Sequence, residues 1–176
     1  MLRHTSTLKN KPRFIIDSSK DLYRLLLLSC SDKIDLRVIH LTKSPEAYVF
    51  GAIKKTTGLR KSVLTIRMSI RWIVENYLIN KVGKISKVSY YHLKYDNLAS
   101  DPHRSLRKIS EFIGENYDEN MLSNCESKVQ HGIAGNLIRL KNGSIKHDKS
   151  WIVLMPLVKK TIVRVICYPL KRYFKY

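Results

Sequence analysis

Two stretches of the chain place hydroxyls and a lysine directly after an apolar run: Phe14-Ile15-Ile16-Asp17-Ser18-Ser19-Lys20 and Leu36-Arg37-Val38-Ile39-His40-Leu41-Thr42-Lys43-Ser44-Pro45. Each reads as a buried strand handing over to a helix. At one edge of a parallel sheet, two such junctions aim backbone N–H groups, hydroxyls and ammonium groups into one crevice. That chemistry suits a phosphate or sulfate ester. In the first junction Lys20 can neutralise an anion or protonate a leaving oxygen, with Ser18 and Ser19 donating hydrogen bonds. A second reading weighs the same: a serine caps the helix and Lys20 stays in water. In the second junction Lys43 and a helix N-terminus again suit phosphate. Glu46, in the first turn, opposes this by satisfying the dipole itself and repelling an anion.

A third candidate is the loop His131-Gly132-Ile133-Ala134-Gly135-Asn136-Leu137-Ile138-Arg139. Gly132 and Gly135 permit close backbone approach, and Asn136 and Arg139 supply a donor pair. Glycine-rich loops are common, so this pattern alone is weak, and His131 fits a structural hydrogen-bonding role as well as a catalytic one. The sequence holds no GxxxxGK[ST], HExxH, GxSxG or GxGxxG pattern. Cys30, Cys125 and Cys167 are an odd set without CxxC spacing, which points to neither a disulfide framework nor a zinc site.

The elements that must position these groups follow from periodicity. The 176 residues suffice for one domain with a core, taken as 13–176 after a basic lead-in over 1–12. Leu22, Leu25 and Leu26 fall at helical spacing after the first junction. Ile34–Leu41 reads as a second buried strand, and Ser44 with Pro45 as the N-cap and first residue of a helix running to Gly58. Val63, Ile66, Ile70, Ile73, Val74 and Tyr77 form one stripe of a long helix ending near Gly83. Ile85–Leu93 alternates like a third strand. Asp101-Pro102 opens a helix that Gly114 closes, with Leu106, Ile109, Phe112 and Ile113 as its inner face. Residues 125–150 read as loop. Trp151–Tyr176 is helical in part, with Ile162, Val163 and Ile166 directed at the sheet. Trp72 and Trp151 read as core. Strands separated by helices predict an α/β fold with a parallel sheet.

Lys and Arg number 33 against 14 Asp and Glu, a net charge of +19. Such a field attracts polyanions, anionic membrane surfaces or phosphorylated ligands without choosing among them. Residues 1–13 lack the apolar core of a secretory signal, and no run of eighteen apolar residues occurs. A cytoplasmic location without a transmembrane helix is therefore expected.

In order, these segments resemble the sulfotransferases that use 3′-phosphoadenosine 5′-phosphosulfate (PAPS). Asp17-Ser18-Ser19-Lys20 is similar to a D-S-S-K-like strand end of that family, and Lys43-Ser44-Pro45-Glu46-Ala47 to its R-D-P-R-A segment. Trp72 and Asn76 resemble its W-x-x-x-N helix, Tyr95-Asp96-Asn97-Leu98 with Asp101-Pro102 its Y-E-D-L…D-P segment, and Phe112-Ile113-Gly114 its F-L-G. His131 to Arg139, then Asp148 and Trp151, resembles H-x-x-x-G-N-x-x-R…D-x-x-W. The resemblance implies a P-loop-NTPase-like parallel sheet flanked by helices, incomplete at its N-terminus. It also implies in-line sulfuryl transfer from PAPS, leaving PAP, to a hydroxyl or amine of a carbohydrate, lipid or small alcohol. Lys43 would stand where the family's arginine binds the 3′-phosphate. Gly135, Asn136 and Arg139 would close over the nucleotide, and Lys20 would face the transferring group.

The departures are specific. The family's phosphosulfate loop precedes everything seen here, so the expectation is a C-terminal portion, truncated or diverged. Ser44 and Glu46 replace an aspartate and an arginine, Gly51 replaces a serine, and no general base is assigned. Two other readings stay open: a non-catalytic relative that binds an anion, and a basic protein of nucleic-acid or membrane surfaces. The resemblance favours no specific nucleic acid, and peripheral contact with anionic membranes is compatible with the basic tail.

Overall fold

A computed structural model of the chain describes residues 14–85, 87–123 and 147–176. Its centre is a pair of parallel strands, β1 (Leu36–Thr42) and β2 (Val88–Lys94), in register from Leu36 opposite Val88 to Thr42 opposite Lys94. The crossover between them consists of α2 (Pro45–Ile53) and α3 (Gly58–Val82). Before β1 comes α1 (Leu22–Ser29). After β2 come α4 (Tyr95–Ser100), α5 (Pro102–Ile113) and the short α6 (Asn120–Ser123), and the chain ends in α7 (Ser150–Leu154) and α8 (Leu157–Tyr173). The fold is thus mixed α/β, a small parallel sheet flanked by helices.

Local chemistry sets the boundaries. Asp21 caps α1 by accepting from the amides of Tyr23 and Arg24. Pro45 occupies the first turn of α2, where its missing N–H costs nothing. Asp101 caps α5 by accepting from Arg104 N. Gly114 ends α5 in the left-handed region (φ 73°), and Glu115 N reaches back to the Ser110 carbonyl at 2.9 Å.

Four expectations need correction. Phe14-Ile15-Ile16 forms no strand; it is exposed coil, with Ile16 90 % accessible, so the sheet of the described residues has two strands rather than three. Three apolar residues ending in a charged, hydroxyl-rich turn are too few to hold a strand without a neighbour to pair with. The helix after Ser44 does not run to Gly58. It stops at Ile53, and Gly58, at φ 61°, opens the next one.

The third correction concerns α3. Its buried row is Thr65, Ser69, Trp72, Asn76 and Asn80, whereas Val63, Ile66, Ile70, Val74 and Tyr77 face outward. Thr65 Oγ1 donates to the Lys61 carbonyl at 2.7 Å and Ser69 Oγ to the Thr65 carbonyl at 2.8 Å. Both hydroxyls are therefore satisfied within the helix and can be buried at little cost. Their small size lets α8 approach closely enough for Cys167 Sγ to meet the Ser69 carbonyl at 3.6 Å.

Finally, α8 packs on α2 and α3 rather than on the sheet. The main core lies between these helices and is built on Val49, Ile53, Trp72, Met155, Val163 and Phe174. Trp151, expected in the core, is only half-buried, whereas Trp72 is fully inside.

Candidate functional site at the carboxyl edge of the sheet

Both strands end at the same edge, and the residues that follow them meet there. Lys43, after β1, is half-buried and sets its Nζ 5.1 Å from the centre of the Tyr95 ring, which follows β2. Its backbone is pinned from behind, because Trp72 Nε1 donates to the Lys43 carbonyl at 3.0 Å. The side chain is thus aimed by a cation–π contact and the main chain by the core.

The segment entering α7 returns to this edge. His147 Nε2 lies 2.9 Å from Asp96 Oδ1, and its ring stands edge-on to Tyr95. The contact lets His147 donate Nε2–H to Asp96, and a carboxylate so placed fixes the orientation of the imidazole ring. Asp148 is beside them. The hydroxyl and amide of Ser150 hold its carboxyl below the usual range, assisted by the charges of Lys43 and Lys54.

Glu46 does not oppose an anion here. Its side chain is 1 % exposed and turns inward to α8, where Lys171 Nζ lies 2.5 Å and Arg164 Nε 3.3 Å from Oε1. Its charge is compensated on the far side of α2. The second oxygen, Oε2, is buried and meets no hydrogen-bond partner among the described residues. This buried carboxylate needs its cations more than they need it, since Arg164 and Lys171 reach water. Lys171→Met is therefore expected to cost about 2 kcal/mol in urea unfolding, and Glu46→Gln clearly less. Equal losses would contradict that asymmetry.

Behind the edge runs a second polar cluster facing α3 and α8. His40 Nδ1 is 2.6 Å from Tyr90 Oη, and Nε2 is 2.8 Å from Asn76 Oδ1. Asn76 Nδ2 donates to the Trp72 carbonyl, which fixes Oδ1 as the acceptor for His40 Nε2–H. Nδ1 then accepts from Tyr90, whose hydroxyl is pushed by burial up to about 12. His92, the register partner of His40, meets Thr42 Oγ1 at 2.8 Å, and Tyr176 Oη donates to the Thr42 carbonyl. Desolvation takes His40 down to about 4, and depresses His92 as well. His40 is thus buried and bonded at both ring nitrogens, while His92 is half-buried and bonded through Nε2; together they tie the two strands to α3 and to the C-terminal residues.

Of the residues that the sequence assigns to the cofactor or the transferring group, Lys43 is placed within this edge cluster, where Tyr95, Asp96 and Asp148 of the resembling segments join it. Lys20 is exposed in coil at φ 59°, and no hydrogen bond or ion pair engages it among the described residues. Gly135, Asn136 and Arg139, with His131 and Cys125, lie outside the described residues. The pairing of Asp96 with His147 was not legible in sequence. The only trace was that Asp96 falls in the segment resembling Y-E-D-L, because histidine and aspartate 51 positions apart carry no spacing signal.

No group of three or more potential metal ligands occurs among the described residues. No family model, characterised protein or solved structure compared with this chain matches it.

Proposed function

We propose that the carboxyl edge of the sheet is a nucleotide site of sulfotransferase type, in a P-loop-like arrangement, and that Lys43 binds a phosphate of PAPS or PAP there. One observation carries the reading: Lys43 leaves a parallel strand at the start of a helix with its ammonium group steered onto Tyr95. Phosphate sites of open α/β sheets are built at such edges. The residues fit the group as a point-charge site. Lys43 supplies the charge, the first amides of α2 supply donors and Glu46 is withdrawn.

When bound, PAPS supplies an activated sulfuryl group. Lys43 would hold and orient the nucleotide. His147, oriented by Asp96, would take the proton from the acceptor hydroxyl or amine. Gly135, Asn136 and Arg139 are assigned to the nucleotide by the resemblance, and Lys20 to the transferring group on the same ground.

The test is titration calorimetry with PAP. Lys43→Ala is expected to weaken binding by about 1.5–3 kcal/mol, the loss of a charge-assisted hydrogen bond. An unchanged dissociation constant, or no binding by the native chain at millimolar PAP, would refute the assignment.

A further inference from the structure

The outward stripe of α3 and the α7–α8 turn both expose large apolar residues at neighbouring positions, and the charge around them has one sign. Leu59 (87 % exposed) and Val63 lie on the first turns of α3, and Val153 (84 %) and Leu157 (78 %) on α7 and α8. The two sets are tied side by side, since Lys159 Nζ donates to Ser62 Oγ at 3.1 Å. Further along α3, Val63, Ile66, Arg67 and Ile70 line a shallow apolar concavity of about 330 Å³. Isolated exposed apolar residues need no explanation, but this many large ones on adjoining helix turns do.

The surrounding charge says what the patch would meet. From Lys54 to Val74 the chain carries six lysines and arginines and no Asp or Glu, and from Lys149 to Tyr176 again none. The nearest acids are occupied: Glu75 by Arg71, Glu46 by Lys171 and Arg164, and Asp148 by Ser150. A second copy of the chain would bring like charge against this rim, and a nucleic acid would have no use for the aliphatic centre. Anionic lipid matches both parts, with headgroups against the cations and the acyl boundary against Val153, Leu157 and Leu59. No helix of the described residues is long and apolar enough to cross a bilayer, so contact of this kind lies on the surface.

We infer that this end of the protein docks on anionic membrane surfaces. The inference is independent of the nucleotide site at the sheet edge.

Vesicle co-sedimentation of the full chain tests it, comparing phosphatidylcholine–phosphatidylserine vesicles with pure phosphatidylcholine. Partition onto the anionic vesicles should be roughly tenfold stronger or more. The double variant Val153→Glu with Leu157→Glu should cut it roughly tenfold while leaving the melting temperature unchanged, because both side chains lie outside the core. Leu59→Glu, on a different helix, should act in the same direction and guards against a folding defect in the first variant. Equal partition onto both vesicle types, or none, would overturn the inference. So would binding that salt abolishes but all these substitutions leave intact, which would mean charge without insertion. A solution dimer dissolved by the same substitutions would assign the face to a second copy instead.

Discussion

Trp72→Ala should lower the unfolding free energy by about 3–5 kcal/mol, the range for removing a large aromatic from a packed core. Trp72 is 1 % exposed, meets Phe174 edge-on at 6.4 Å, and sits where α2, α3 and α8 converge. Its loss also strands the Lys43 carbonyl, which the indole N–H satisfies. Against a typical total of about 5–15 kcal/mol, this is a large part of the stability. Trp72→Phe separates the two contributions: it keeps most of the packing and loses the hydrogen bond, so its cost should be nearer 1–2 kcal/mol. A urea midpoint unmoved by Trp72→Ala would mean that α8 does not close over α3 in the way described.

The same tryptophan shows what could be read from sequence and what could not. Trp72 and Asn76 stand one helical turn apart, so their shared face follows from spacing alone. What spacing could not supply was the choice between two faces of one helix. The Val63–Tyr77 stripe is the stronger hydrophobic signal, yet Thr65 and Ser69 went inside because their hydroxyls bond to their own helix and leave room for α8. Hydrophobic periodicity reports which face avoids water, and a face that meets a membrane or a partner gives the same signal as one that meets a core.

Strands and caps were legible where local chemistry decides them. Pro45 after Ser44, Asp101 before Pro102 and Gly114 each act through a backbone requirement of one or two residues. Phe14–Ile16 was not, because a buried strand exists only by pairing, and pairing is a property of its neighbours. The site divides in the same way. Lys43 follows from a strand-to-helix junction contained in ten residues. The approach of His147 to Asp96 depends on the return of the chain into α7, and nothing local encodes it.

Stability should fall steeply as pH drops from about 6.5 to 4, and His40 is the reason. In the unfolded chain its imidazole takes up a proton near its ordinary value of 6.5, whereas burial holds it down to about 4 in the fold. Between those values the unfolded state binds more protons, so unfolding gains ground as pH falls. The contribution is complete above 6.5 and gone below 4. A displacement of that size corresponds to roughly 3 kcal/mol. His92 is depressed in the same sense by desolvation and by Lys94, and a charge on either histidine disfavours one on the other, so the two add to the slope. The carboxyls of Asp17 and Asp148 lie below the window and are exposed, which leaves them little part in it. Urea unfolding at pH 7.5 and 4.5 measures the loss, and His40→Gln should flatten it while lowering the plateau, because an amide can replace the bond to Asn76 but cannot titrate. Native-chain stability that stays level across this range would show that His40 is not buried between Tyr90 and Asn76, and with it would go the packing of β1 against α3.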